Sequence, residues 1–288
     1  MLIIGLRVIN LAIAGDLHGS WVAKDKELLI QLCPDAVLFV GDLSDGGDLR
    51  LIKAINSVPI PSAVILGNHD RGLEPSGYLL QQQLTVLGER DCSWRLRGWS
   101  EPPLSVVGAR PCSPGGGYYL SNQVKGVFGP VSLEESVARI YKSALKAAEE
   151  FPLVLLAHAG PTGLGSDASS LCGRDWKIPA IDWGDQDLSM AIDLIRKKRK
   201  IDLVVFGHMH HQLKRGRGNR KTFVIDQFGT AYLNAACVPR RKQDEFGNWL
   251  SHFSWAKFIN GKLAHVSHRW FREDSSIAFQ ETLYQINI

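Results

Sequence analysis

Residues 8–18 read Val-Ile-Asn-Leu-Ala-Ile-Ala-Gly-Asp-Leu-His, an apolar run that ends in a glycine followed by polar side chains. An apolar run of this length, rich in β-branched residues, predicts a β-strand that is buried on both faces. The same design recurs along the chain in residues 36–40, 63–66, 153–157 and 203–206, each followed directly by polar residues. We therefore expect the chemistry of this protein at the carboxyl ends of its strands.

Helical segments are predicted between these runs, at residues 20–32 and 49–56, and the alternation of strand and helix favours an α/β sheet. A capping-box pattern at residues 132–135 predicts a further helix, which leads into the strand before His158. The intervals from Asp16 to Asp42 and from Asp42 to Asn68 are both 26 residues (42 − 16 and 68 − 42). This is close to the ~30 residues of a strand-helix-strand unit, so three strand ends are expected to converge.

The composition is that of an ordinary globular chain, with 288 residues, 45% of them hydrophobic and 22% charged. A net charge of +4 argues against a dedicated nucleic-acid-binding protein. The five cysteines are odd in number and scattered, which argues against a disulfide scaffold and fits a reducing cytoplasm. The apolar N-terminus has no basic segment before it and is interpreted as a first strand rather than a signal peptide, and no segment is long enough to span a membrane.

The polar residues at the strand ends form a coherent set of metal ligands. In chain order they are Asp16-x-His18, Gly41-Asp42, Gly67-Asn68-His69-Asp70, His158 and Gly207-His208-x-His210. Carboxylates and imidazoles without thiolates suit Mn, Fe, Zn or Ni. These five blocks, in this order, resemble those of the calcineurin-like metallophosphoesterases. The resemblance implies a four-layer α/β/β/α sandwich, with two mixed sheets flanked by helices, and we expect residues 1–288 to form one such domain.

The resemblance also implies roles for individual residues in the hydrolysis of phosphate esters. One divalent metal ion would be held by Asp16, His18, Asp42 and His210, and a second by Asp42, Asn68, His158 and His208. Asp42 would bridge the two ions, and a hydroxide shared between them would attack the phosphorus. His69 would protonate the leaving oxygen, with Asp70 orienting its imidazole. Either Asp45 or Asp70 is a candidate acceptor for the outer nitrogen of a metal-bound histidine.

One block departs from that of the phosphoprotein phosphatases and their dinucleotide-cleaving relatives. Those enzymes have an arginine after the position of Asp45, whereas Gly46 stands here. Without that bidentate phosphate ligand, a protein phosphatase is disfavoured, and a small or nucleotide-like phosphorylated molecule is the expected substrate. Two further functions stay open: a nuclease that uses the basic cluster at residues 214–221, and a catalytically silent metal-binding scaffold for protein interaction.

Two segments are predicted to be lid or specificity insertions because they are rich in glycine, proline and polar residues. They span residues 98–130 and 162–185. In the second segment, Arg174 is a candidate phosphate ligand, and Asn68 is a second candidate substrate contact. Trp176 has two interpretations, as a stacking platform for a ring of the substrate or as a packed anchor of a surface loop.

Overall fold

The computed structural model describes residues 7–214 and 217–286. Within these ranges the chain forms thirteen strands and six α-helices. The strands are β1 (Val8–Ala14), β2 (Ala36–Phe39), β3 (Ser62–Val64), β4 (Leu96–Trp99), β5 (Leu104–Gly108), β6 (Leu153–Leu156), β7 (Leu203–Phe206), β8 (Phe223–Ile225), β9 (Ala231–Asn234), β10 (Arg241–Gln243), β11 (Trp249–Ile259), β12 (Lys262–Arg272) and β13 (Ile277–Gln285). The helices are α1 (Ala23–Leu32), α2 (Leu49–Asn56), α3 (Tyr78–Leu87), α4 (Asn122–Phe128), α5 (Leu133–Leu145) and α6 (Gln186–Arg196).

The strands form two mixed sheets. The first has the order β13-β12-β11-β1-β2-β3, with β10 also paired to β11, and the second has the order β4-β5-β6-β7-β9-β8. In the first sheet β1 runs parallel to β2 and β2 to β3, while β1 and β11 are antiparallel. In the second sheet β5, β6, β7 and β9 are parallel neighbours. The strands that precede the predicted ligands are therefore adjacent within each sheet.

Alternate residues of the central strands enter two different cores. Leu11 and Ile13 of β1 lie in one core with Val154 and Leu156 of β6, and this core contains residues of both sheets but none of the helices. Their neighbours along the strands, such as Ala12 of β1, lie in a second core that includes helix residues from α1 to α6. The sheets thus pack face to face with helices outside them, which confirms the predicted four-layer α/β/β/α sandwich.

Local signals in the sequence account for several element boundaries. The Ser132 hydroxyl accepts a hydrogen bond from the backbone N–H of Glu135 and caps α5, as the capping-box pattern predicts. Asn260 and Gly261 join β11 to β12 with φ angles of 48° and 77°, the left-handed conformation that a two-residue hairpin turn requires. Of the predicted first strand, residues 1–6 lie outside the described part of the chain.

The prediction that residues 98–130 form one insertion or lid was wrong. All five residues of β5 are buried, and the strand pairs with β4 on one side and β6 on the other, so it belongs to the second sheet. Residues 162–185, by contrast, contain no helix or strand, and their isolated bridges, Gly173 with Asp182 and Pro161 with Asp185, close the segment on itself. Among the described residues, no helix is long and apolar enough to cross a bilayer.

Candidate metal centre

The predicted ligands come together where the carboxyl ends of the two sheets meet, and they form two clusters. The ligand atoms of Asp16, His18 and His210 all lie within 4.8 Å of one another, and so do those of Asp42, His158 and His208. Asn68 belongs to the second cluster, because its Oδ1 is 3.1 Å from Nε2 of His158. The structure thus brings together all seven predicted ligands and divides them as expected, while a bridging role for Asp42 stays a prediction.

The backbone is bent sharply at four of the ligands. Asp16, His18, Asp42 and His208 have φ angles of 50°, 43°, 45° and 66°. A non-glycine residue with a positive φ costs about 1–3 kcal/mol and persists only where the surrounding structure holds it. Here the loops after β1 and β2 hold each other, since the N–H of His18 donates to the carbonyl of Asp42 at 2.9 Å. These turns direct the side chains of the four ligands into the two donor clusters.

The glycines of the blocks allow loops of different strands to approach closely. A Cβ atom on Gly207, which follows β7 of the second sheet, would lie 2.1 Å from Oδ2 of Asp16, which follows β1 of the first sheet. A Cβ atom on Gly67 would lie 2.2 Å from Oδ1 of Asp42 and 2.8 Å from the ring of His158. Any side chain at these two positions would displace metal ligands, which explains why each of these blocks pairs a glycine with its ligand.

His158 and His208 present nitrogen atoms that fit a metal ion. Nδ1 of His158 lies 2.8 Å from the carbonyl oxygen of Val40, which can only accept, so Nδ1 carries the hydrogen. The lone pair of its Nε2 therefore faces two oxygen atoms, Oδ1 of Asn68 at 3.1 Å and Oδ1 of Asp42 at 3.2 Å. Nε2 of His208 is buried without a hydrogen-bond partner among the described residues. A cation between these atoms satisfies all of them.

The electrostatics of the cluster also fit bound cations. Burial opposes a charge on His158, but the adjacent Asp42 carboxylate outweighs it and raises the pKa of His158 to about 10. Negative charge that attracts a proton to this position attracts a metal ion equally. Burial, assisted by the charges of neighbouring histidines, lowers the pKa of His208 to about 3 and that of His210 to about 4. Both imidazoles are therefore neutral near pH 7, which is the form that ligates metals.

His69 and Asp70 differ from the expected arrangement. The carboxylate that contacts the imidazole of His69 is Asp45, whose Oδ1 lies 3.2 Å from Nδ1 of His69 and 2.7 Å from Nδ1 of His18. Asp70 instead points into the interior, where it is fully buried. Its carboxylate accepts hydrogen bonds from the backbone N–H groups of residues 43, 44 and 67, at 3.1, 2.9 and 2.8 Å. The contact with His69 that was expected of Asp70 is therefore made by Asp45, and Asp70 holds two ligand-bearing loops together.

Residues 9–212, which include all of these ligands, match the model of the family described as calcineurin-like phosphoesterase. The chain belongs to the calcineurin-like phosphoesterase family. Family membership makes it a metal-dependent phosphoester hydrolase. Comparison with curated protein sequences gave no match.

Solved structures share the fold of this phosphoesterase at low sequence identity. Protein TT1561 of Thermus thermophilus is 13% identical, with a TM-score of 0.53 over 96% of this chain and 98% of that chain. Purple acid phosphatase PPD1 from seeds of yellow lupin (Lupinus luteus) is 16% identical, with a TM-score of 0.51 over 96% of this chain and 53% of that chain. These likenesses concern the fold alone.

A pocket of about 360 Å³ opens at the metal centre of the phosphoesterase. Its lining combines residues of the centre with residues of two loops, and comprises His18, Asp42, His69, Asp175, Trp176, His208, Met209, His210, Gln212 and Lys214. The side chain of His69 is 49% exposed, so its imidazole is accessible from the pocket. The site thus has a buried part that binds cations and an open part that can receive an ester.

Arg174, a predicted phosphate ligand, does not line this pocket. Its guanidinium lies over the ring of Trp183, 5.0 Å from the centroid, and donates to the carbonyl of Pro179 at 2.8 Å. The neighbouring Asp175 and Trp176 reach the pocket instead. Lys214 also lines the pocket, although in the sequence it stands out only as the first residue of a basic cluster. Its position four residues after the ligand His210 was the signal that could have indicated it.

Proposed function

We propose that this chain is a dinuclear-metal hydrolase that cleaves phosphomonoesters or phosphodiesters of a small or nucleotide-like molecule. The observation that carries the proposal is the presence of two separate donor clusters side by side at one pocket. A single-metal enzyme has no use for the second cluster, and both clusters combine carboxylate with imidazole, a donor set suited to Mn, Fe, Zn or Ni. Manganese is the ion we propose to test first.

The two donor clusters would hold two divalent cations, which would supply an activated water as nucleophile and would stabilise charge on the entering and leaving oxygens. The protein's part is to position these groups and to protonate the leaving oxygen. Because Nδ1 of His69 contacts the Asp45 carboxylate, Nε2 is the nitrogen that is available to the substrate. This Nε2 lies 4.0 Å from Oδ2 of Asp42. An imidazole in this position is suited to act as general acid.

The competing functions have less support. The basic cluster that a nuclease would use includes Arg220, which is 5% exposed and occupied by backbone carbonyls, and residues 215–216 of the cluster lie outside the described residues. A protein phosphatase would need an arginine after Asp45, where this chain has Gly46. A silent scaffold would have no need of an exposed His69 beside two complete donor clusters.

The five cysteines are free thiols, which supports our placement of the protein in the reducing cytoplasm.

The proposal is tested by two variants measured against a panel of phosphomonoesters and phosphodiesters, with metal analysis of each purified protein. Asp42→Asn is expected to lose bound metal and turnover together. His69→Asn is expected to keep its metal while kcat falls by about 10²- to 10⁴-fold. His265→Asn, a change of a half-buried histidine on β12, serves as the control and should match the wild type. Failure of the wild type to hydrolyse any ester with Mn, Fe, Zn or Ni would support the silent scaffold instead.

A further inference from the structure

One wall of the pocket is an indole ring. Trp176 is 38% exposed although it is a large apolar side chain, and it lines the pocket beside the metal ligands. Its ring packs edge-on against Trp183, with centroids 5.4 Å apart and an angle of 78° between the ring planes. The contact with Trp183 buries part of the ring and leaves the rest accessible to a ligand.

Trp183 gives this wall a rigid support. Its Nε1 donates to the carbonyl of Pro114 at 2.9 Å. Gly115 and Gly116 pass so close to its indole that a Cβ atom on either would lie 2.7 or 2.8 Å from ring atoms. The guanidinium of Arg174 lies over the same ring. Trp176 therefore rests on a side chain that is itself fixed from several directions.

The wall is also fastened to the metal centre. The Asp175 carboxylate accepts a hydrogen bond from the backbone N–H of Lys214 at 2.6 Å. The Arg220 guanidinium donates to the carbonyl of Gly173 at 2.7 Å and to that of the ligand His210 at 3.0 Å. Trp176 thus keeps its distance from the metal ligands, and a preformed wall loses little entropy when a ligand binds.

The charge beside the ring is suited to a phosphate. Nζ of Lys214 lies over the Trp176 ring, 5.7 Å from its centroid. Among the described lining residues, Lys214 is the one lysine or arginine. The Asp175 carboxylate next to it faces a backbone N–H and the Arg220 guanidinium, the latter at 3.6 Å, so it does not cancel the charge of the ammonium. The pocket therefore offers a flat aromatic surface with a cation above its face.

We infer that Trp176 and Lys214 form a specificity subsite for a flat aromatic ring carried by the phosphoester, which makes aryl or nucleoside phosphates the substrate class. The ring stacks on Trp176, and Lys214 contacts the phosphate. This inference rests on the proposed phosphoester hydrolysis and narrows it. Stacking of one base on an aromatic side chain changes binding by about 10- to 100-fold, and this sets the size of the expected preference.

The test compares adenosine 5′-monophosphate with glycerol 1-phosphate, whose leaving alcohols are similar, so that the ratio of their kcat/KM values reports recognition of the ring. Trp176→Leu is expected to lower this ratio by about 10- to 100-fold, and Trp176→Phe to preserve most of it. Phenyl phosphate shows which kind of ring the subsite recognises. If Trp176→Leu lowers kcat/KM for phenyl phosphate as much as for adenosine 5′-monophosphate, the subsite recognises aryl groups in general. A smaller effect on phenyl phosphate indicates that it recognises a nucleobase. Ile178→Ala, which changes a 76% exposed apolar residue of the same segment, is the matched control and should leave the ratio unchanged.

A binding measurement keeps the inference independent of turnover. Saturation-transfer NMR with adenosine, which has no phosphate, should show the adenine protons in contact with the wild type and with Trp176→Phe, and no contact with Trp176→Leu. If wild type and Trp176→Leu both hydrolyse the esters with the same ratio of kcat/KM values for adenosine 5′-monophosphate and glycerol 1-phosphate, the inference is overturned and the proposed function stands. Adenosine contact that depends on Trp176, without hydrolysis of any ester, would support the subsite and overturn the proposed function.

Discussion

At the scale of single residues, Asp45 has the most connections to the chemistry. One of its carboxylate oxygens contacts both Nδ1 of the metal ligand His18 and Nδ1 of the proposed acid His69. Both imidazoles therefore have their Nδ1 nitrogen occupied and their Nε2 nitrogen directed elsewhere. Nε2 of His18 lies 3.2 Å from Nε2 of His210, within the first donor cluster. A single side chain thus sets the orientation of a ligand and of the acid.

We predict that Asp45→Asn weakens metal binding at the first cluster by about 10- to 100-fold, because outer-sphere acceptors of metal-bound histidines have effects of this size. The kcat should also fall, since His69 loses the carboxylate that contacts its Nδ1 and orients its imidazole. Metal titration by calorimetry and kcat at saturating metal measure the two effects. Asp48→Asn is the matched control: it lies in the same loop and caps α2, and asparagine caps a helix as well as aspartate. Unchanged metal affinity in Asp45→Asn would contradict the assignment.

At the scale of elements, Arg220 connects two segments that are distant in the sequence. Its Nη1 donates to the carbonyls of Ala168, Ser170 and Gly173 at 2.9, 2.6 and 2.7 Å, and its Nε donates to the carbonyl of His210. The segment at residues 162–185, which contains no strand or helix, is thereby attached to the loop after β7. Arg220 is a positioning residue for this segment and not a phosphate ligand.

Arg220→Lys is expected to lower the free energy of unfolding by about 1.5–3 kcal/mol, since hydrogen bonds of charged groups contribute this much and an ammonium lacks the fork of donors. The segment at 162–185 should become the first site of cleavage in limited proteolysis. Urea denaturation and identification of the first cleaved bond measure these effects. Arg217→Lys, at an exposed neighbour, should change neither. Equal protease resistance of wild type and Arg220→Lys would show that the segment is held by other contacts.

At the scale of the whole molecule, the metal centre joins the two sheets. Asp16, Asp42 and Asn68 follow strands of the first sheet, whereas His158, His208 and His210 follow strands of the second. Each donor cluster contains ligands from both sheets. Bound metal therefore stabilises the face-to-face packing of the sandwich as well as the local loops, because ligands that bind only the folded state stabilise it.

Manganese at 100 times its dissociation constant is expected to stabilise the folded chain by about 2.7 kcal/mol, which corresponds to a rise in Tm of roughly 4–5 °C for a chain of this length. Chelation should reverse the rise. Calorimetric melting with and without the metal measures it, and Asp42→Asn, which lacks a central ligand, provides the comparison. A wild-type Tm that does not respond to Mn, Fe, Zn or Ni would show that the clusters do not bind metal in the folded protein.

Much of the fold could be predicted from the sequence because its determinants are local. Apolar runs predicted β1 and β7 with their observed boundaries, and the segment between two such runs was predicted as the helix α2 at residues 49–56. The place of β5 in the sheet was misjudged, because the glycine-rich and proline-rich residues around it are typical of surface loops. Only its pairing with β6 shows that this segment lies inside the sheet.

The sequence by itself determined the types of the metal ligands, the order along the chain of the strands that bear them, and the family to which the chain belongs. It could do so because residue type and spacing along a strand-helix repeat are properties of short segments. The tertiary structure alone decided that Asp45 rather than Asp70 contacts His69, that Arg174 is occupied elsewhere, and that Trp176 and Lys214 stand together at the pocket. The contacts of Asp45 with His69 and of Lys214 with Trp176 join residues far apart in the chain, and they depend on how two twisted sheets and an irregular segment pack against one another. No local pattern encodes that packing, since it minimises the free energy of the whole chain.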